Sequence, residues 1–396
     1  MRCMLIALFT VMSMAANAEV IEYSTDGFKY NLDTEAKTAE LAKFSGSRNG
    51  VVIPENVTYK NVTYSVTSLG RACFEHCSIT SVTIPSSVTS LGEGCFYYCS
   101  SLTSIDIPSS VTSLGRACFA GCSSLTSIDI PSSVTSLGIS CFEGCTSLTS
   151  ITIPSSVTSL EYDCFSGCSS LTSIDIPSSV TDLGHGCFSG CSSLESITVD
   201  KNNKVYDSRD NCNAIIETSR NTMIQGCKTT VIPSSVTSLG YSCFSGCTSL
   251  TSIDIPSSVT SLGDNCFSEC SSLTSITIPS SVTSLWYGCF SRCSSLKTVT
   301  CEIATPINGD FFSGTPIDQA TLYVLETSLD AYRTTSPWSG FGTILPITSV
   351  GINYNTANKE VTIDAVYNLD GKRSNGTSRG LNIIRMSDGT TRKVMK

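Results

Sequence analysis

Residues 102–122 read LTSIDIPSSVTSLGRACFAGC, and the pattern returns every 23 residues through most of the chain. The tetrad C-F-x-x-C marks it nine times, opening at Cys73, Cys95, Cys118, Cys141, Cys164, Cys187, Cys243, Cys266 and Cys289. The first step is 22 residues, and the step from Cys187 to Cys243 is 56, which leaves 33 residues inserted there. Leu102, Ile105 and Ile107 fit L-x-x-I-x-I, a repeat strand with its apolar side chains inward. Pro108 ends the strand because it has no N–H for a ladder. Val111 and Leu114 lie on a second short extended stretch, and Gly115 suits a tight corner. Cys118, Phe119 and Cys122 fit a short helical turn, since i and i+4 share a face. One unit cannot bury its own apolar side, so units must stack. About ten coils at strand spacing make an array roughly 50 Å long.

Composition narrows the function classes. The chain has 396 residues, 24 Lys+Arg against 33 Asp+Glu, and a net charge of −9. An acidic chain without a basic block is a poor ligand for nucleic acid. Two histidines, His76 and His185, leave little room for zinc chemistry, histidine proton transfer or a Ser-His-Asp triad. No cofactor is implied. Residues 1–18, MRCMLIALFTVMSMAANA, have a basic start, a short apolar run and an A-x-A ending, as an export signal does. Cys3 would leave with it. No other run approaches the roughly 18 apolar residues of a membrane span.

The pattern L-x-x-I-x-I-P-x-x-V-x-x-L-G-x-x-C-F-x-x-C resembles the BspA-type leucine-rich repeats of bacterial surface proteins. That resemblance implies a right-handed leucine-rich-repeat solenoid with a parallel β-sheet and short helical turns. It covers about residues 66–301, with an insertion at 200–231. The family usually carries Ala before the Phe, where this chain has Cys in all nine copies. Residues 19–65 resemble the family's N-terminal cap, and 302–346, with Tyr332 and Trp338, its closing cap. The aromatic residues there fit plugs for the open end of the array. Residues 347–396 read as short strands around Gly-rich turns, and resemble a small β-rich surface-sorting domain.

The cysteines fit a ladder of small buried hydrophobes. Disulfides within or between coils are an alternative in an exported protein, and metal binding a weaker one, because C-x-x-x-C is not a zinc knuckle. Cys212 and Cys227 are the best single disulfide candidate, since a bridge would staple the insertion. On the strands, Asp106, Asp129, Thr152, Asp175, Asp254 and Thr277 point outward and form a candidate ligand-binding stripe beside a serine column. Plain solubility explains such a stripe equally well. Two residues before each tetrad the chain varies: Arg71, Glu93, Arg116, Ile139, Tyr162, His185, Tyr241, Asp264 and Tyr287. Exposed Tyr and Arg are typical contact residues, and drift at unconstrained positions would look the same. In the insertion, Ala214–Ile216 and Thr222–Ile224 read as a hairpin, and the acidic residues around Asp207 as a turn-rich loop.

A repeated stripe lacks the convergent, asymmetric set that catalysis needs. The expectation is therefore a non-enzymatic monomer, secreted or held on the outer face of the bacterial cell envelope. The family resemblance implies adhesion to a host or matrix protein or glycan. A structural surface spacer without a specific ligand is the competing expectation.

Overall fold

A computed structural model describes residues 20–347 and, further on, the strands Ile363–Tyr367, Arg373–Ser374, Leu381–Met386 and Thr391–Met395. The export-signal reading falls on residues 1–18, outside the described residues. Residues 1–347 and 348–396 are separate units. In the second, the strands pair antiparallel in the order 373–374, 363–367, 381–386, 391–395. Much of the sorting-like motif, residues 368–372 and 380, lies outside the described residues.

The first unit is a parallel solenoid of about 13 turns. It exceeds the expected ten because both flanks coil as well. Antiparallel strands Val20–Thr25, Phe28–Asp33 and Thr38–Phe44 open it. Thr298–Cys301, Thr321–Val324 and Thr343–Pro346 close it as parallel neighbours. Each coil contributes to two strand columns and one column of turns. One strand column pairs the S-I-D/T-I segments, as in Ser173–Ile176 with Ser196–Val199. The other pairs the S-L segments, as in Ser136–Leu137 with Ser159–Leu160.

The tetrads form turns, not helix, which corrects the sequence expectation. Cys118 N–H bonds Gly115 C=O and Cys122 N–H bonds Phe119 C=O, three residues back in each case. The third residues of those turns, Ala117 and Gly121, have φ of 51° and 73°. That left-handed backbone belongs to type II turns and cannot continue an α-helix. The N–H groups between, at Ala117, Phe119 and Gly121, donate to Ile139, Cys141 and Glu143 of the next coil. Gly115 also differs from expectation. Its φ is ordinary, and a Cβ there would meet the backbone of Gly92 and Glu93 at 2.9 Å, so close approach of the coils requires it.

Phenylalanine rings stack along the core. Phe96, Phe119, Phe142, Phe165 and Phe188 lie 5.3–5.5 Å apart with interplanar angles of 2–6°. The stack continues into the caps through Phe44 and Phe312. Segments 43–47 and 311–315 are thus degenerate tetrads in which the cysteines are replaced. Trp338 and Tyr332 plug the far end, donating to Ile307 C=O and Ile303 C=O at 2.8 Å. Serine and threonine tie coils together too: Ser156 Oγ donates to Val134 C=O at 2.6 Å, and Thr172 Oγ1 to Thr149 C=O at 3.3 Å.

All 21 described cysteines are free, and all but Cys77 are buried. The second cysteine of the tetrad is a donor. Cys122, Cys145, Cys168 and Cys191 each reach the phenylalanine carbonyl of the preceding coil at 3.2 Å. Thr315 takes that role in the cap, at 2.6 Å from Phe290 C=O. Burial pushes the Cys99, Cys141 and Cys168 thiols up to about 12, from an ordinary value near 9. Their folded pKa is raised, so folding favours the protonated thiol. That stabilisation is intact below about pH 9 and lost as pH climbs toward 12.

Phe142→Ala should remove a ring from the middle of the stack and cost about 3–5 kcal/mol. A urea midpoint that does not move would contradict the load assigned to the stack. At pH 8 a maleimide should modify Cys77 first and leave the other thiols intact until guanidinium is added, while the melting temperature should fall as pH rises above 9. Fast native labelling of many thiols, counted by mass spectrometry, would show that the columns are not closed.

Candidate functional site

The strand face bears the expected stripe in broken form. Asp106 pairs with Thr83 and Asp129, and Asp175 with Thr198. Thr277 pairs with Thr300. Thr152 and Asp254 lie on coils where this strand column lapses. All six candidates are exposed. Thr198 Oγ1 donates to Asp175, which uses that carboxylate inside the protein. Asp106 and Asp129 are the one directly adjacent pair of carboxylates in the stripe. Among the described residues, no group of three or more His, Cys, Asp or Glu is placed to hold a metal ion.

The insertion contains the expected hairpin, Ala214–Glu217 against Thr222–Gly226. Its acidic residues serve the loop itself. Asp207 chelates the Arg209 guanidinium at 2.8–3.1 Å, and Arg209 Nη1 also donates to Asn221 Oδ1 at 2.9 Å. The bond to Asp207 raises the Arg209 pKa. Asn203, buried, donates to Pro177 and Val180 carbonyls and accepts from the N–H groups of Val205 and Tyr206. The expected Cys212–Cys227 bridge is absent: both are free thiols. Cys212 packs in the C-terminal part of the core and Cys227 in the N-terminal part. Cys227 Sγ meets Thr229 Oγ1 at 3.2 Å.

The turn face is richer. Most exposed large apolar side chains of the array stand there: Tyr98, Tyr162, Tyr241, Trp286 and Tyr287, at 45–61 % exposure. Tyr162, His185 and Tyr241 form a row of rings with centroids 5.8 and 5.5 Å apart. Near the N-terminal end His76, Tyr97 and Tyr98 cluster at 4.6–5.9 Å.

Beside the Tyr162–His185–Tyr241 row an open groove of 580 Å³ runs over the turns toward the C-terminal end, from the coil of Asp163 to that of Ser313. Tyr241 and Tyr287 stand on one rim, and the Glu269–Arg292 ion pair, 2.7 Å long, lies across it. The floor is Gly and Ser, including Gly167, Gly190 and Gly246, whose φ values are 70–73°. Asp163 packs over Gly186, and Asn265 over Gly288, where any Cβ would collide with them. Burial, with Glu143 nearby, raises the Asp163 pKa.

Asp163, Asn265 and Glu269 were not singled out from the sequence. A signal existed. The position before the second cysteine is Gly in five of nine tetrads, but His76, Tyr98, Glu269 and Arg292 occupy it elsewhere. Those four hold φ of 54–62°, a conformation that costs an L-residue roughly 1–2 kcal/mol.

Comparisons with known proteins agree with this architecture. Residues 53–140, 112–221 and 215–332 match the BspA type leucine rich repeat region, in six copies. The chain is similar to a leucine rich cell surface protein of Faecalibacterium prausnitzii A2-165, at 29 % identity and a TM-score of 0.63, over 84 % of this chain and 96 % of that one. The pneumococcal vaccine antigen PcpA shares the fold: 16 % identity, TM-score 0.59, 83 % of this chain and 99 % of that one. No curated protein matches the chain. No helix among the described residues is long and apolar enough to cross a membrane. With nine tetrads in register and a family match spanning residues 53–332, this chain belongs to the BspA-type leucine-rich-repeat family of bacterial surface proteins.

Proposed function

We propose that this is a non-catalytic adhesion protein, exported and displayed on the bacterial surface, which binds a host or matrix protein or glycan along the outside of its array. The observation that supports this reading is the gathering of exposed Tyr, Trp and His on the turn face, at positions that vary between copies. Tyr and Trp are the residues that most often anchor interfaces. The Tyr-Ser-Gly-Asn make-up of the groove also matches that of binding loops, in which rigid aromatics provide contact area and small polar groups adapt. The relatives described as a cell surface protein and a vaccine antigen favour display. Strength would come from many weak contacts over a long face and from many molecules per cell.

The strand-face residues Asp106, Asp129, Thr152, Asp175, Asp254 and Thr277 form a second, weaker candidate surface. Its carboxylates are spaced along one line and do not converge on a point. A spacer without a ligand has no use for the exposed aromatics.

Beads coated with residues 19–396 should attach to epithelial cells or deposited matrix saturably, and free protein should compete. Exchanging Tyr241 and Tyr287 for Ala should weaken attachment about tenfold. Exchanging Asp106, Asp129, Asp175 and Asp254 for Asn should change it less than about twofold, as for exposed rim groups. Attachment that neither saturates nor competes would favour the spacer.

A further inference from the structure

The groove on the turn face has an unusual division of hydrogen-bonding groups. The backbone groups of its serine floor are engaged in bonds between and within coils. The carbonyls of Ser166, Ser189, Ser245 and Ser268 accept from Gly144, Gly167, Gly190 and Gly246 at 2.7–2.9 Å. The N–H groups of the same serines bond three residues back, to Asp163, Gly186, Ser242 and Asn265. An extended peptide therefore finds no open backbone edge to pair with, which removes the main attraction of strand addition.

The side chains are in the opposite state. Among the described residues, the hydroxyls of those four serines, the Asp163 carboxyl and the Asn265 amide have no hydrogen-bond partner. Hydroxyls both donate and accept, so the floor suits a ligand that is itself covered with hydroxyls. Two exposed tyrosines, Tyr241 and Tyr287, line the groove on coils about 10 Å apart. Ring faces suit flat, amphipathic groups with one C–H face. The groove crosses six coils, about 24 Å at strand spacing, so its occupant is a chain and not a single small molecule.

Charge narrows the choice. Asp163 and Glu269 line the groove, its one cation Arg292 is paired with Glu269, and the whole chain carries −9. A polyanion is repelled here.

We propose that the groove between Tyr241, Tyr287 and Asp163 binds a linear, uncharged oligosaccharide, its sugar rings stacked on the tyrosines and its hydroxyls bonded to the serines, Asp163 and Asn265. This rests on the adhesion reading and names the chemistry of the ligand.

The test is calorimetric titration of residues 19–396 with hexasaccharides: cellohexaose, laminarihexaose, mannohexaose, xylohexaose and a poly-N-acetyllactosamine, with heparin as the polyanion. At least one neutral chain should bind, and its disaccharide should bind at least tenfold more weakly. Tyr241→Ala and Tyr287→Ala should each lower affinity about tenfold. Both side chains are exposed, so the melting temperature should stay unchanged. Asp106→Asn, on the strand face, should leave binding unaffected. Binding of heparin alone, binding that ignores both tyrosines, or no neutral binder across the set overturns the proposal. The bead assay separates the two readings. Attachment that persists in excess neutral hexasaccharide refutes the glycan groove and leaves adhesion standing, and attachment blocked by it supports both.

Discussion

A peptide unit has one donor and one acceptor, and at each Cys–Phe junction both lie along the array axis. Phe96 N–H meets Cys118 C=O, and the N–H of that same unit, on Phe119, meets Cys141 C=O. Six such bonds, all 2.8 Å, run unbroken from Phe44 to Cys187. Hydrogen bonds in series polarise one another, and here the series passes through the core beside the phenylalanine stack. The other features of the turn follow from it. Alternate N–H groups can aim at the next coil only if the turn flips the units between them, which demands left-handed residues on both sides. The coil spacing set by these bonds also fixes the ring spacing and draws the Gly92–Gly115–Gly138 corners into backbone contact. Between the caps, a small side chain fits before each Phe, and a small donor at the end of the tetrad. Cysteine meets both needs, which makes the 18 tetrad cysteines packing and hydrogen-bonding parts rather than a disulfide framework.

The insertion tests how far this constraint reaches. Between Phe188 and Phe244 the ring stack stops, because Gly226 lies against the Phe244 ring. The core divides there into two clusters. One column nevertheless crosses the gap: Gly190 N–H donates directly to Ser245 C=O at 2.9 Å. The outer turns continue while the hairpin 214–226 fills the interior and the strand side. Gly226 N–H then takes the donor role, bonding Cys243 C=O at 2.8 Å. The excursion is thus a coil rebuilt from the inside, with its outer edge intact. This explains why the groove, which sits on that edge, spans the insertion without a break.

The period, the strand with Ile105 inward, the hairpin in the insertion and the plugs Tyr332 and Trp338 were all legible, because each rests on an apolar pattern that only one packing satisfies. The turn conformation was not. Cysteines at i and i+4 share a face in a helix and also across two consecutive type II turns, so spacing alone could not separate them. Glycine at the position before the second cysteine was the discriminating sign, diluted by His76, Tyr98, Glu269 and Arg292. The outermost tetrads were hidden for a different reason. In Lys43-Phe44-Ser45-Gly46-Ser47 and Phe311-Phe312-Ser313-Gly314-Thr315 the backbone and ring are kept while both cysteines change, and a pattern keyed to cysteine passes over them. The disulfide reading of Cys212 and Cys227 failed because nearness in sequence says nothing of which half of the core each thiol enters.

Because most of the turn backbone is engaged between coils, a ligand on that face would meet chiefly side chains. Serine and threonine flanking the strands are already engaged in ties between coils, as with Ser156 to Val134 and Thr172 to Thr149. Their abundance reflects cohesion as much as solubility. In the groove, the hydroxyls of Ser166, Ser189, Ser245 and Ser268 have no hydrogen-bond partner among the described residues, and the position two before each tetrad tolerates large changes, from Ile139 to Tyr162 to Asp264. A coil can therefore alter its contact residues without disturbing the hydrogen-bonded column beneath them. The cost falls only where a non-glycine residue must adopt positive φ. Glu269 and Arg292 accept that cost on successive coils and form an ion pair there. An exposed pair of this kind adds little stability, so the local backbone loses more than the pair returns. Stability therefore does not account for two charged residues at glycine positions in the wall of the groove.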